Sequence, residues 1–104
     1  MTLEELNNIL KETGYPVAYS HFKQRQTLPF ITYLVEGTNN FFADDKVLLK
    51  VEQINIELYT SKKDLEAENK LENLLDKNNI CYEVFEDFIA EEKVFRRTYE
   101  MEMI

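Results

Sequence analysis

TNNFFADDKVLLKVEQINIELYT, Thr38 to Thr60, decides how the rest of the chain is read. Val47, Leu49 and Val51 alternate with Leu48, Lys50 and Glu52, and after Gln53 the apolar phase switches to Ile54, Ile56 and Leu58. Side chains on a strand alternate between its two faces, so one uniform strand would push half of this set into water. Two readings follow. A bulge near Glu52-Gln53 could restore the phase; alternatively, the first half buries its apolar side chains against a different partner from the second. Phe41-Phe42 opens the first half right after the turn-forming run Gly37-Thr38-Asn39-Asn40. Aromatics at a loop end either fold back onto their own core or anchor a partner. An apolar strand with unpaired edges is an aggregation hazard in a lasting monomer, and this favours the partner.

Working outward, the N-terminal segment reads as a helix. Thr2 and Glu5 form a capping box, Leu3, Leu6, Ile9 and Leu10 share a face, and Gly14 supplies the left-handed stop. YPVAYSHF and LPFITYLVEG read as strands with Pro16 and Pro29 near their starts, separated by the polar insert KQRQT. Beyond Thr60, Ser61 with Asp64 is the expected cap of a second helix, whose apolar stripe is Ala67, Leu71, Leu74 and Leu75. Glu66, Lys70, Glu68 and Glu72 fall on its wetter side, and Asn78-Asn79 ends it. ICYEVFEDFI and KVFRRTYEMEMI read as a closing hairpin. In its last strand Phe95, Tyr99, Met101 and Met103 share a face with Arg97, whose guanidinium must therefore pair or reach the edge. The order is α-β-β-β-α-β-β. The predicted fold is α+β: one domain over residues 1–104, with a mixed, largely antiparallel sheet of about five strands and both helices on one face.

Composition narrows the function. Twelve basic against 20 acidic residues give a net charge of −8, which repels a phosphate backbone and argues against sequence-specific nucleic-acid binding. No stretch approaches 18 apolar residues and the N-terminus is acidic and amphipathic, so neither a membrane span nor a signal peptide is expected. The chain is expected in the cytoplasm. Cys81 is alone, which allows no internal disulfide, and is expected as a small buried hydrophobe.

Chemistry is sparsely marked. Asp44-Asp45 could serve as a metal or acid/base pair, but adjacent residues on extended chain point apart. A polar turn is the simpler reading. His21 has no Ser or Cys motif around it, and two glycines cannot build a phosphate loop. Glu86-Asp87 with Glu91-Glu92 reads as solvated surface. No enzyme and no cofactor are implied.

Three segments carry a family resemblance: LPFITYLVEGTNNFFADDKV, INIELYTSKKDLEAENKLENLL and EEKVFRRTYEMEM. The similarity runs from about Tyr15 to Met103, and its most specific parts are Phe42-Ala43-Asp44, Glu57 to Thr60, and Lys63-Asp64. In these the chain resembles the small tail-terminator, or tail-completion, proteins of long-tailed bacteriophages and prophages. The resemblance implies an α/β sandwich that assembles, typically as a ring of six copies, on the completed tail tube. There the ring halts tube growth and meets the head connector, first in the host cytoplasm and then in the virion. It also makes Phe41, Phe42, Ala43, Asp44, Val47, Leu49 and Val51 candidates for contact with a sister subunit or the tube. A negatively charged ring would suit DNA passage. The competing expectation is a small monomeric module whose acidic surface binds a basic partner.

Overall fold

The structure, a computed structural model, describes residues 1–104 throughout. Nine elements follow in order: α1 (Leu3–Lys11), β1 (Val17–Tyr19), β2 (Phe30–Thr38), β3 (Phe41–Ala43), β4 (Lys46–Leu49), β5 (Glu52–Thr60), α2 (Leu65–Lys77), β6 (Glu83–Ile89) and β7 (Val94–Met103). The α+β class holds. The expected third strand, however, is three strands, and two of them leave the main sheet. A five-stranded sheet runs β1-β2-β5-β7-β6, and β3 with β4 forms a separate two-stranded one. The main sheet is mixed because β1 alone pairs in parallel.

Register explains which face is covered. Ile31, Tyr33 and Val35 of β2 stand opposite Leu58, Ile56 and Ile54 of β5, and Ile54 and Ile56 stand opposite Met101 and Tyr99 of β7. These side chains point to one face, where Leu6 and Leu10 of α1 and Ala67, Leu71 and Leu75 of α2 complete a core of 14 buried residues. Both helices therefore pack on one side of the sheet, as period two on the strands and period 3.6 on the helices require. The other face carries Phe30, Tyr59, Thr32, Glu57, Asn55 and Glu100 and no helix.

The helix signals were partly placed. At α1, Thr2 Oγ1 accepts the Glu5 N–H at 3.1 Å and Glu5 returns to the Thr2 N–H at 3.2 Å, completing the capping box. Gly14 has φ +85°. At α2 the cap is Asp64, not Ser61: its carboxylate accepts the Ala67 N–H at 3.1 Å. Aspartate caps at least as well as serine, and its charge suits the positive helix end. Asn79 closes α2 at φ +58°.

Two burial expectations are corrected. Glu68 is buried and Glu72 is half-buried, not on the wet side of α2. The reason is Arg97, which faces the helices from β7 and draws both carboxylates inward, Nε to Glu68 at 3.4 Å and to Glu72 at 3.3 Å. Tyr99 donates its hydroxyl to Glu72 at 2.7 Å, and Lys63 bonds Glu68 at 2.8 Å and Glu86 at 3.1 Å. Burial, reinforced by that hydrogen bond to Glu72, pushes the Tyr99 hydroxyl far above the usual phenol range. Cys81 is exposed and precedes β6 instead of opening it. The left-handed turn at Asn79 gives the buried position to Ile80, and the next side chain points away.

Candidate functional site

β2 and β5 are antiparallel neighbours whose ends meet at Thr38 and Glu52, and residues 39–51 leave the sheet there as an arm. Its root is fixed. The Asn39 N–H donates to the Val51 carbonyl at 2.9 Å, and the Asn40 side-chain oxygen accepts the Val51 N–H at 2.9 Å. Asn39 Nδ2 also reaches Glu102 on β7 at 3.4 Å. Beyond this root every residue from Phe41 to Lys50 is exposed. The molecule measures 49 × 30 × 24 Å with a radius of gyration of 14.7 Å, against about 13 Å for a compact chain of this length.

The phase switch in the sequence thus has its cause. No bulge interrupts β5 at Glu52-Gln53, which stays in continuous register with β7 from Glu52 to Thr60. The irregularities lie in β2, between Val35 and Gly37, and in the arm, between Phe41 and Phe42. The two phases belong to two different sheets.

At the arm's tip Asp44 and Asp45 have φ of +52° and +61°. Positive φ at both central residues matches a type I′ turn, the connection whose twist suits a two-residue hairpin. Ala43 and Lys46 flank it as a register pair. Asp44-Asp45 is thus a turn, and no three His, Cys, Asp or Glu residues are grouped to hold a metal ion. His21 is exposed, with its ring nitrogen 3.2 Å from Ser20 Oγ.

The arm is apolar on both of its faces. Phe42 stands opposite Val47, and Phe41 opposite Leu49. Directly opposed residues share a face and neighbours in sequence alternate, so one aromatic lies on each side. Phe41 is 58% exposed and Phe42 70%; Val47 and Leu49 are also exposed. Ala43 and Asp44 are exposed at the tip. Val51 departs from the expected set: at 3% exposure it is sealed at the root and faces no partner. The change follows from its position between the two hydrogen bonds that tie the arm down. Leu48, at 74%, is the most exposed apolar residue of the arm, yet the candidate set drawn from the sequence omits it. Strict alternation put Leu48 out of phase with Val47 and Leu49. The shifted register beside it has no marker residue in the sequence.

A second exposed apolar region lies on β6, the outer strand beside β7, where Phe85 and Phe88 are each about half-exposed. Its acids are not all free, as the sequence suggested. Glu86 bonds Lys63, and Arg96 grips Asp87 through two bonds of 3.0 and 2.6 Å. That guanidinium holds the Asp87 carboxyl below the usual carboxylate range. Glu83 faces Glu100 across the strands, and neither has a cationic partner.

No known family model matches the chain, and no curated protein sequence does either. No helix is long and apolar enough to cross a membrane.

Proposed function

We propose that this chain is a ring-forming tail terminator of a long-tailed phage or prophage, a structural protein that caps the tail tube and joins it to the head connector. One observation carries the reading: an arm anchored at its root and apolar on both faces, with ten consecutive exposed residues. A hairpin of two strands is marginal in water by itself. Folding back onto its own sheet would shelter one face and leave the other wet. Surfaces supplied by other subunits on both sides remove that conflict, and a closed ring supplies them to every copy alike.

The resemblance supports the same assignment. Of its three most specific parts, Phe42-Ala43-Asp44 lies at the tip of the arm. Glu57 to Thr60 ends β5, and Lys63-Asp64 leads into the cap of α2. The net charge of −8 agrees with a ring that DNA passes through without sticking. A monomeric acidic module would leave the two-sided apolar arm without a role.

The test is to add the purified protein to growing tubes of its cognate tail-tube protein. Electron micrographs should show ring-capped tubes of arrested length. Tubes that grow on unchanged, with no particle at their ends, would end the proposal.

A further inference from the structure

Which surface receives the arm is decided by comparing the two edges of the main sheet. The β1 edge is three residues long, and where β2 runs on past it the Val35 N–H is already taken by the Tyr19 hydroxyl at 3.1 Å. The β6 edge is seven residues long, with no proline, lysine or bulge. Those are among the devices by which proteins blunt an open edge; β6 has only charged side chains in their place, all of them acidic. Its sequence EVFEDFI holds three acids and no base, and presents Phe85 and Phe88. The arm's outgoing strand with its next residue, KVLLK, holds two bases and no acid around three exposed apolar side chains. Glu86 and Asp87 are already paired inside the subunit, so the free negative charge on this edge is concentrated at Glu83 and Glu100, directly opposed like charges. Such a pair is unfavourable until a cation arrives.

Resting on the ring reading above, we infer that the arm of one copy adds to the β6 edge of the next copy. One of Lys46 and Lys50 supplies the cation that Glu83 and Glu100 lack, and the other, four residues along, falls beside Asp87, while the apolar run between the lysines covers Phe85. Strand addition of this kind takes its affinity from backbone hydrogen bonds and its choice of partner from side chains. A copy's own arm leaves from the β2–β5 end, and β7 stands between β5 and β6, so the edge is served from outside. The donor and acceptor patches differ, which makes the contact head-to-tail and able to close a ring.

The test uses two charge-reversed full-length variants, Lys46→Glu/Lys50→Glu and Glu83→Lys/Glu100→Lys, with wild type as reference. All four positions are exposed, and circular dichroism checks each fold. Wild type should associate at high concentration, more weakly as salt is raised. Each variant alone should associate at least tenfold more weakly, because its arm and edge then carry like charge. Mixed together, the variants should assemble again in strict 1:1 alternation, read by native mass spectrometry of one isotope-labelled partner. Self-association of either variant at wild-type strength, a mixture that stays apart, or a wild type that never associates would overturn the inference. Normal tube capping in any of those cases would leave the terminator reading standing without this seat. Alternating assemblies that ignore the tube protein would keep the seat and remove the terminator reading.

Discussion

β4 and β5 are separated by two residues and are built from similar stock, KVLL and EQINIELYT, yet they end in opposite surroundings. In β5 every second residue from Ile54 to Thr60 is buried; in β4 none is. Hydrophobicity does not separate them. Position does: β5 is the central strand, flanked by β2 and β7 and roofed by two helices, while β4 has only β3 beside it. An apolar side chain gains from burial only where something stands to bury it. Chain connectivity brings cover to Ile54, Ile56 and Leu58, and within one subunit it brings none to Val47, Leu48 and Leu49. The body thus folds on contacts it owns, and the arm carries apolar side chains that nothing else in the chain covers.

The sharpest way to break this contrast is to cut apolar groups on the two sides of it. Ile56→Ala, at the sheet's fully buried centre, should cost about 2–5 kcal/mol in urea unfolding, from lost transfer energy plus the cavity left behind. A loss under about 1 kcal/mol would mean that the body does not depend on this core. Next in size is Arg97→Ala. It removes the one cation that reaches all three of Glu68, Glu72 and Glu86, leaving Glu72 with none and the buried Glu68 with Lys63 alone, and should cost about 2–3 kcal/mol. Since Arg97 retains some solvent contact, the effect stays below that of a fully buried pair. The same measurement on Arg97→Met, which restores bulk but not charge, separates the ionic part from the packing.

Much of the body can be read from local sequence, because its signals are local. Thr2 and Glu5 lie within one turn of each other, and the alternation of Ile54, Ile56 and Leu58 declares a half-buried strand by itself. The position of Arg97 on an apolar face announces a pairing, though not its partners, Glu86 on β6 and, 25 residues or more back along the chain, Glu68 and Glu72 on α2. That separation also hid Glu68 and Glu72: a helix wheel marks them polar, and only the β7 register shows which cation they meet. The arm was half-visible. Its phase break with β5 is plain in the sequence, but the place where the chain leaves the sheet is set by the bonds that the Asn39 backbone N–H and the Asn40 side chain make to Val51. Those bonds bury Val51, and the shifted register exposes Leu48, with no residue to signal either outcome.

The arm's own stability provides a smaller and more pointed test. Asp44 and Asp45 both hold positive φ, which costs an L-residue energy that glycine does not spend. Asp45→Gly should therefore firm the hairpin by about 0.5–1 kcal/mol, in keeping with the preference of type I′ turns for glycine at this place. Amide exchange on β3 and β4 should slow about two- to fivefold, the rate change that corresponds to this energy. Exchange on β5 should stay as it was, since the arm and the body belong to separate sheets. Parallel slowing in both would show that the arm unfolds only with the body, and the contrast drawn here between them would have to be given up.

Smallest of all should be the effect on subunit stability of removing the arm's two most exposed apolar side chains. Phe42 and Leu48 touch too little of their own subunit for Phe42→Ser/Leu48→Ser to shift its unfolding by more than about 0.5 kcal/mol. Substitutions of this size in a core would each cost several times that. The same variant should lose self-association altogether, since the arm loses its two most exposed apolar side chains. Urea unfolding at dilute concentration checks the first outcome, and sedimentation at high concentration checks the second. The pairing matters because each alone has a simpler cause: a destabilised fold also fails to assemble, and a silent surface site also leaves stability unchanged. A large loss of stability would place Phe42 and Leu48 inside the subunit's own core, and unaltered association would leave their exposure without a partner to explain it.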